Sequence, residues 1–172
     1  LHRIIQDYHP DIVLGGYTIF HDSINRLEVL PKNYDGYYSK QQIESDIYPI
    51  LIQSPNATYF PPQQWAKAFK RELICKCQNA VDNRIKLGED GACVITSVYN
   101  AESLYITSAN TYLYRYNPQS ITKNKKPFCW DGPRLIHKHI ERNIDIDLFD
   151  FREQLYRKTT HELFHVVKSR FY

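Results

Sequence analysis

At 172 residues, with 42% hydrophobic and 14% aromatic residues, the chain has the size of one domain and enough apolar content to bury a core, which excludes a disordered polypeptide. A formal net charge of +3 gives no support to a nucleic-acid or membrane-surface partner through bulk charge, and no apolar run approaches the roughly 20 residues that span a bilayer. Cys75, Cys77, Cys93 and Cys129 include one close pair, C-x-C, which lacks the spacer of common zinc or redox motifs, so free, partly buried thiols and a reducing compartment are expected.

In chain order, LHRIIQDYH carries Leu1, Ile4, Ile5 and Tyr8 at the spacing of a helix face, and Pro10 ends it. DIVLGGYTIF reads as a buried strand, and its Gly15-Gly16 pair predicts a bulge or a close backbone approach. NRLEVLP is a shorter strand. Ser39 is the expected N-cap of SKQQIESDIYPILIQ, a helix disturbed at Pro49, and SPNATYFPP is a loop. WAKAFKRELI reads either as strand then helix or as helix throughout.

The acidic start and apolar continuation of EDGACVITSVYNA mark a helix N-terminus at Glu89 and Asp90. SLYITSANTYLYRY predicts two short strands around a turn at Ser108-Ala109-Asn110. A long loop follows, with the basic run Lys123, Lys125 and Lys126, and then two helices separated near Asn143 to Asp147. The mixture is α/β with a helical C-terminal end. The chain has no methionine, not even at position 1, so it is expected to be a piece of a longer polypeptide.

The last helix contains His161-Glu162-Leu163-Phe164-His165, the H-E-x-x-H spacing of zinc hydrolases. That chemistry needs a third ligand, usually downstream, and Val166 to Tyr172 include no His, Glu, Asp or Cys. On a helical wheel Leu148, Phe151, Leu155 and Val166 cluster on one side, and His161 and His165 fall with Gln154 and Lys158 on the opposite, polar side. A zinc hydrolase on His161, Glu162 and His165 is therefore the remote alternative.

Three segments in one order, DIVLGGY at 11–17, WAKAFKREL at 65–73, and GED at 88–90 with YLYRYNPQSIT at 112–122, resemble the C-terminal, acceptor-side half of a bacterial family 2 glycosyltransferase. The resemblance implies an α/β fold, the C-terminal portion of an A-type glycosyltransferase fold, over residues 1–122, followed by a loop and C-terminal helices over 123–172. No DDGSTD-like motif occurs, and no D-x-D stands in the place before DIVLGGY where that family carries one; Asp145-Ile146-Asp147 lies far downstream. The donor-binding half, with its Mg or Mn ion, would then lie upstream, and this part alone would be inactive. Many members place an aromatic residue after the E-D pair, where this chain has Gly91-Ala92.

By the same resemblance, Asp90 is the base that takes the acceptor proton and Glu89 its neighbour. Trp65, Lys67, Arg115 and Tyr114 contact substrate, and Asp90 is expected at the mouth of an open cleft facing Trp65. On the residues alone, acids opening a helix are favoured for capping and dipole reasons worth roughly 0.3–2 kcal/mol. Trp65 reads equally as core, Lys67 as solvated, and Arg115 as a surface strand arginine. The implied partners are a nucleotide-sugar donor and a saccharide acceptor of a surface polysaccharide or a lipid-linked chain, with no nucleic acid. The implied location is the cytoplasm, the inner face of the membrane being the alternative. A non-catalytic module, in which helices 132–172 dock on another subunit or a membrane through residues such as Phe164 and Phe171, is the competing reading.

Overall fold

The computed structural model describes residues 1–20, 25–32, 35–117 and 131–171, the side chains of 169–171 excepted. Cys129, the basic run at 123–126 and the Phe171 side chain lie outside the described residues. Helix α1 (His2–Tyr8) closes where His9 turns left-handed, φ 47, and returns its N–H to Ile5 O just before Pro10. The strands are β1 (Ile12–Phe20), β2 (Arg26–Val29), β3 (Gly36–Ser39), β4 (Lys67–Phe69) and β5 (Ser103–Arg115). They form one mixed sheet in the order β2-β1-β5-β3, with β4 pairing the start of β1. Among the described residues, only β1 and β5 run parallel and the other pairs are antiparallel. The α/β class expected from the sequence is observed.

β1 is central because successive residues Ile12, Val13 and Leu14 are all buried, so both sheet faces are covered there. The expected pair of short strands at 103–116 is instead one 13-residue strand. Ser108-Ala109-Asn110 does not reverse the chain; the extra residues are absorbed as a bulge. β1 advances three residues from Leu14 to Tyr17 while β5 advances six, from Ile106 to Tyr112, with an irregularity on each side of the intervening pair Gly16–Asn110. The close approach expected at Gly15-Gly16 is the counterpart of this bulge. Thr111 donates its hydroxyl to Gly16 O at 3.1 Å, and a Cβ on Gly15 would stand 2.3 Å from Thr111 Cγ2. Only glycine fits there.

After β3, Ser39 N donates to Gln42 Oε1 at 3.0 Å and opens α2 (Lys40–Gln42). A π-helical turn (Ile43–Ile47) and a 3₁₀ turn (Tyr48–Ile50) containing Pro49 continue it, the disturbance expected from proline. WAKAFKRELI resolves as strand then helix: β4, then α3 (Arg71–Ala80). Helices α4 (Glu89–Asn100), α5 (Asp131–Asn143) and α6 (Phe151–Phe171) complete the element order.

α4 is the hub. Residues 91–98 are all buried, so the helix is covered on every side. Thr96 Oγ1 donates to Ala92 O at 3.1 Å and Ser97 Oγ to Cys93 O at 2.8 Å, which satisfies the polar groups inside. At its far end Lys40 Nζ donates to Tyr99 O at 2.7 Å and Ala101 O at 3.1 Å, capping terminal carbonyls with a cation. Ile12, Leu14, Leu104 and Ile106 of the sheet, Val94 and Val98 of α4, and Ile136, Ile140, Phe151 and Leu155 of the last helices share one core.

The wheel reading of α6 needs correction. Gln154, assigned to a polar outer face, is fully buried. It accepts hydrogen bonds from Ile52 N (2.9 Å) and Gln53 N (3.2 Å) and donates to Tyr48 O (2.7 Å), docking α6 on the irregular 48–53 segment. A polar residue marks a buried face here because that segment's backbone leaves groups to be satisfied. Further along, His161 and His165 are exposed. Cys77 and Cys93 are buried and Cys75 is exposed, all three as free thiols. Among the described residues, no helix is long and apolar enough to cross a membrane.

Candidate functional site

The start of α4 is fixed by what surrounds it. Gly88 caps the helix at φ 87, and a Cβ there would come within 2.8 Å of Ile136 Cδ1 on α5, so glycine is required both for conformation and for space. Glu89 and Asp90 form the first turn, where the helix dipole favours carboxylates. Both are half-buried. Glu89 has no hydrogen bond or ion pair among the described residues, and Asp90 has one long contact, accepting from Gln64 N at 3.4 Å.

The partner segment crosses in front of this turn. Pro62 Cβ lies 3.4 Å from where a Cβ on Gly91 would be, so the small residue after the E-D pair lets the chain pass. Ala66 takes a left-handed conformation, φ 60, and its carbonyl accepts from Gly15 N at 2.9 Å. Lys67 turns inward, donates to Gln63 O, and places its ammonium 5.7 Å from the centre of the Phe60 ring. Burial pulls the Lys67 ammonium down to about 7, with the Asp90 carboxylate opposing the shift. Asp90 is thus near enough to act on the Lys67 ammonium through charge, with no hydrogen bond or ion pair joining the two among the described residues.

Trp65 goes elsewhere. Its ring meets Tyr17 edge-on at 4.7 Å and stacks on Tyr112 and Tyr114, each at 5.0 Å. The indole therefore braces a four-ring cluster on the sheet and is only half-exposed. Tyr114 belongs to that cluster. Arg115 follows it in β5 and so projects from the opposite face of the strand, away from Trp65. The expected substrate set divides into Lys67 beside the acids, Trp65 with Tyr114 over the sheet, and Arg115 apart.

A cavity of about 530 Å³ opens between β1, the end of β2 and the 56–63 loop, walled by Tyr17, Tyr59, Leu30, Asn56, Pro62 and Gln63 among others. Asp90 does not line it. The carboxylate stands behind the Pro62–Gln63 wall, one residue from it through the Gln64 bond, rather than at the mouth of a cleft facing Trp65. Sequence reasoning missed Tyr17, Tyr59, Gln63 and Gln64. The available signal was the left-handed turn that separates Trp65 from Lys67, which a degenerate W-x-K pattern does not encode.

Among the described residues, no group of three or more His, Cys, Asp and Glu side chains could hold a metal ion. Compared with known proteins, the chain matches no family model and no curated protein.

Proposed function

We propose that this chain is the acceptor-side half of a nucleotide-sugar-dependent glycosyltransferase with the A-type fold, and that Asp90 is its base. The observation that carries the reading is the Asp90 carboxylate itself. It is held rigidly by a buried helix, yet tied to the protein by only one long hydrogen bond, beside a lysine with a lowered pKa and behind the wall of a cavity carrying two tyrosines.

A saccharide acceptor enters between Tyr17 and Tyr59, whose rings offer apolar faces to a sugar and whose hydroxyls can hydrogen-bond it. Moving the Pro62–Gln64 segment aside breaks the Gln64 bond, opens the cavity onto Asp90 Oδ2 and lets that oxygen take the proton from an acceptor hydroxyl. The oxygen of that hydroxyl then bonds to the anomeric carbon of the donor as the bond from that carbon to the diphosphate oxygen breaks. Lys67 donates to the acceptor or supplies positive charge near the leaving group. Binding of the nucleotide is assigned to residues outside this chain. In the full polypeptide, Asp90→Asn is expected to slow transfer from a nucleoside diphosphate sugar by about 10²–10⁴-fold while the fold loses no more than about 1 kcal/mol; wild-type transfer by that variant would overturn the assignment.

The competing reading as a docking module is favoured by one observation, the exposed Leu163, Phe164 and Val167 on α6. Sedimentation of the protein with and without lipid vesicles separates the two, because a monomer indifferent to lipid leaves only the transferase reading.

A further inference from the structure

His161 and His165 stand apart from the α4 site and play no part in the proposed transfer chemistry. One helical turn apart and both exposed, they bring their Nε2 atoms to 3.2 Å, with ring centroids 4.5 Å apart and planes at 85°. The two ring nitrogens are within hydrogen-bond distance, and either ring can be the donor depending on its tautomer. Neither imidazole has a second hydrogen bond among the described residues, so no other polar contact has to break for the pair to turn toward a shared ligand.

The separation is the one a common metal ion needs. With metal–nitrogen bonds of about 2.0–2.1 Å, nitrogens 3.2 Å apart subtend roughly 100–106° at the ion, between a square-planar corner and a tetrahedral one. We propose that His161 and His165 form a two-point clip on the surface of α6 for a divalent transition ion that favours imidazole, of the zinc, nickel and copper type. Magnesium and calcium are excluded as occupants because they take oxygen ligands.

The neighbours define what kind of site this is. Glu162, the acid between the histidines, is held by Lys158 at 2.6 Å, and among the described residues no third metal-ligating side chain joins the pair. Water fills the remaining positions, so the ion exchanges readily and binds more weakly than in a closed four-ligand centre. This is a capture site, distinct from the three-ligand centre of a zinc hydrolase. Because the clip spans residues i and i+4, it forms only where α6 is helical, and the bound ion in turn stabilises that part of the helix.

The test is a zinc titration by calorimetry, with thermal unfolding followed at fixed zinc. Wild type is expected to bind one zinc equivalent that His161→Ala and His165→Ala each weaken at least tenfold. The double variant His165→Ala with Val167→His keeps the number of histidines but breaks the spacing, and it should also lose the site. Magnesium should not compete. Asp90→Asn should bind zinc like wild type, so failure of the clip and failure of the transferase reading remain distinguishable. Equal zinc affinity in wild type and both single-histidine variants, or retention by the spacing variant, overturns the proposal; far-UV circular dichroism confirms that each variant keeps its helices.

Discussion

Two acids lie next to two lysines in this molecule, and their environments are opposite. Asp11, just before β1, is buried and well bonded: its carboxylate accepts from Lys70 Nζ at 2.7 Å, Glu102 N at 2.7 Å and Ser103 N at 3.3 Å, while its own N–H donates to Ser103 Oγ at 3.0 Å. Burial alone would raise its pKa, but the Lys70 hydrogen bond and the two backbone amides outweigh it and hold the carboxyl below its ordinary value. Asp90 has one 3.4 Å contact, and the lysine its charge acts on, Lys67, has a pKa pulled down to about 7 by burial. A carboxylate holding three hydrogen bonds, one of them from a lysine, is committed to the fold. One left nearly free at the start of a rigid helix is available for chemistry.

That contrast can be broken experimentally, and the largest effect belongs to Asp90. On the proposed transferase reading, where removing a general base costs about 10²–10⁴-fold in rate, Asp90→Asn should lose transfer by that factor while stability falls by no more than about 1 kcal/mol, the helix-dipole contribution. Asp11→Ala should do the reverse, destabilising the fold by about 3 kcal/mol because it strips a charged partner from two amides; equilibrium urea unfolding measures it. An unchanged midpoint would remove the structural role given to Asp11.

Lys70→Ala is expected to cost less, about 1 kcal/mol or under, because the lysine side chain is 57% exposed against 11% for Asp11. Since the Asp11 pKa is lowered in the fold, the stabilisation is fully present above its unfolded value near 3.8 and disappears as pH falls through the lower folded value. The difference between wild type and Lys70→Ala should therefore vanish in acid. The smallest effect is a shift in titration. Lys67, followed by NMR of its side-chain nitrogen, should titrate near 7 and fall further in Asp90→Asn, because the carboxylate is what opposes desolvation. An ordinary lysine titration would remove the charge coupling between Lys67 and Asp90.

The same contrast explains what could be read beforehand. Asp90 at a helix start, the buried strand at DIVLGGY and the crowding at Gly15-Gly16 follow from short-range rules of dipole, apolar patterning and glycine geometry. Each needs only its near neighbours in the chain. The Asp11 network was invisible because its partners sit 59 and about 91 residues away. Gln154 misled for the same reason: an amide looks like solvent-facing material until a distant irregular backbone supplies its partners. Trp65 and Lys67 read as one motif, and the left-handed turn at Ala66 sends them to different places.

The bulge in β5 makes this protein unusually sensitive to length. Side chains alternate along a strand, so the odd number of extra residues between Ile106 and Tyr112 sets the phase that presents Tyr112 and Tyr114 to Trp65. Deleting one residue from 107–111, where the bulge keeps its size and β5 slips one residue against β1, would turn both tyrosines to the other face of the sheet. The indole would then lose both of its stacked partners. A homologue with a one-residue gap in this stretch should carry a changed residue at position 65, while a two-residue gap could leave the tryptophan in place.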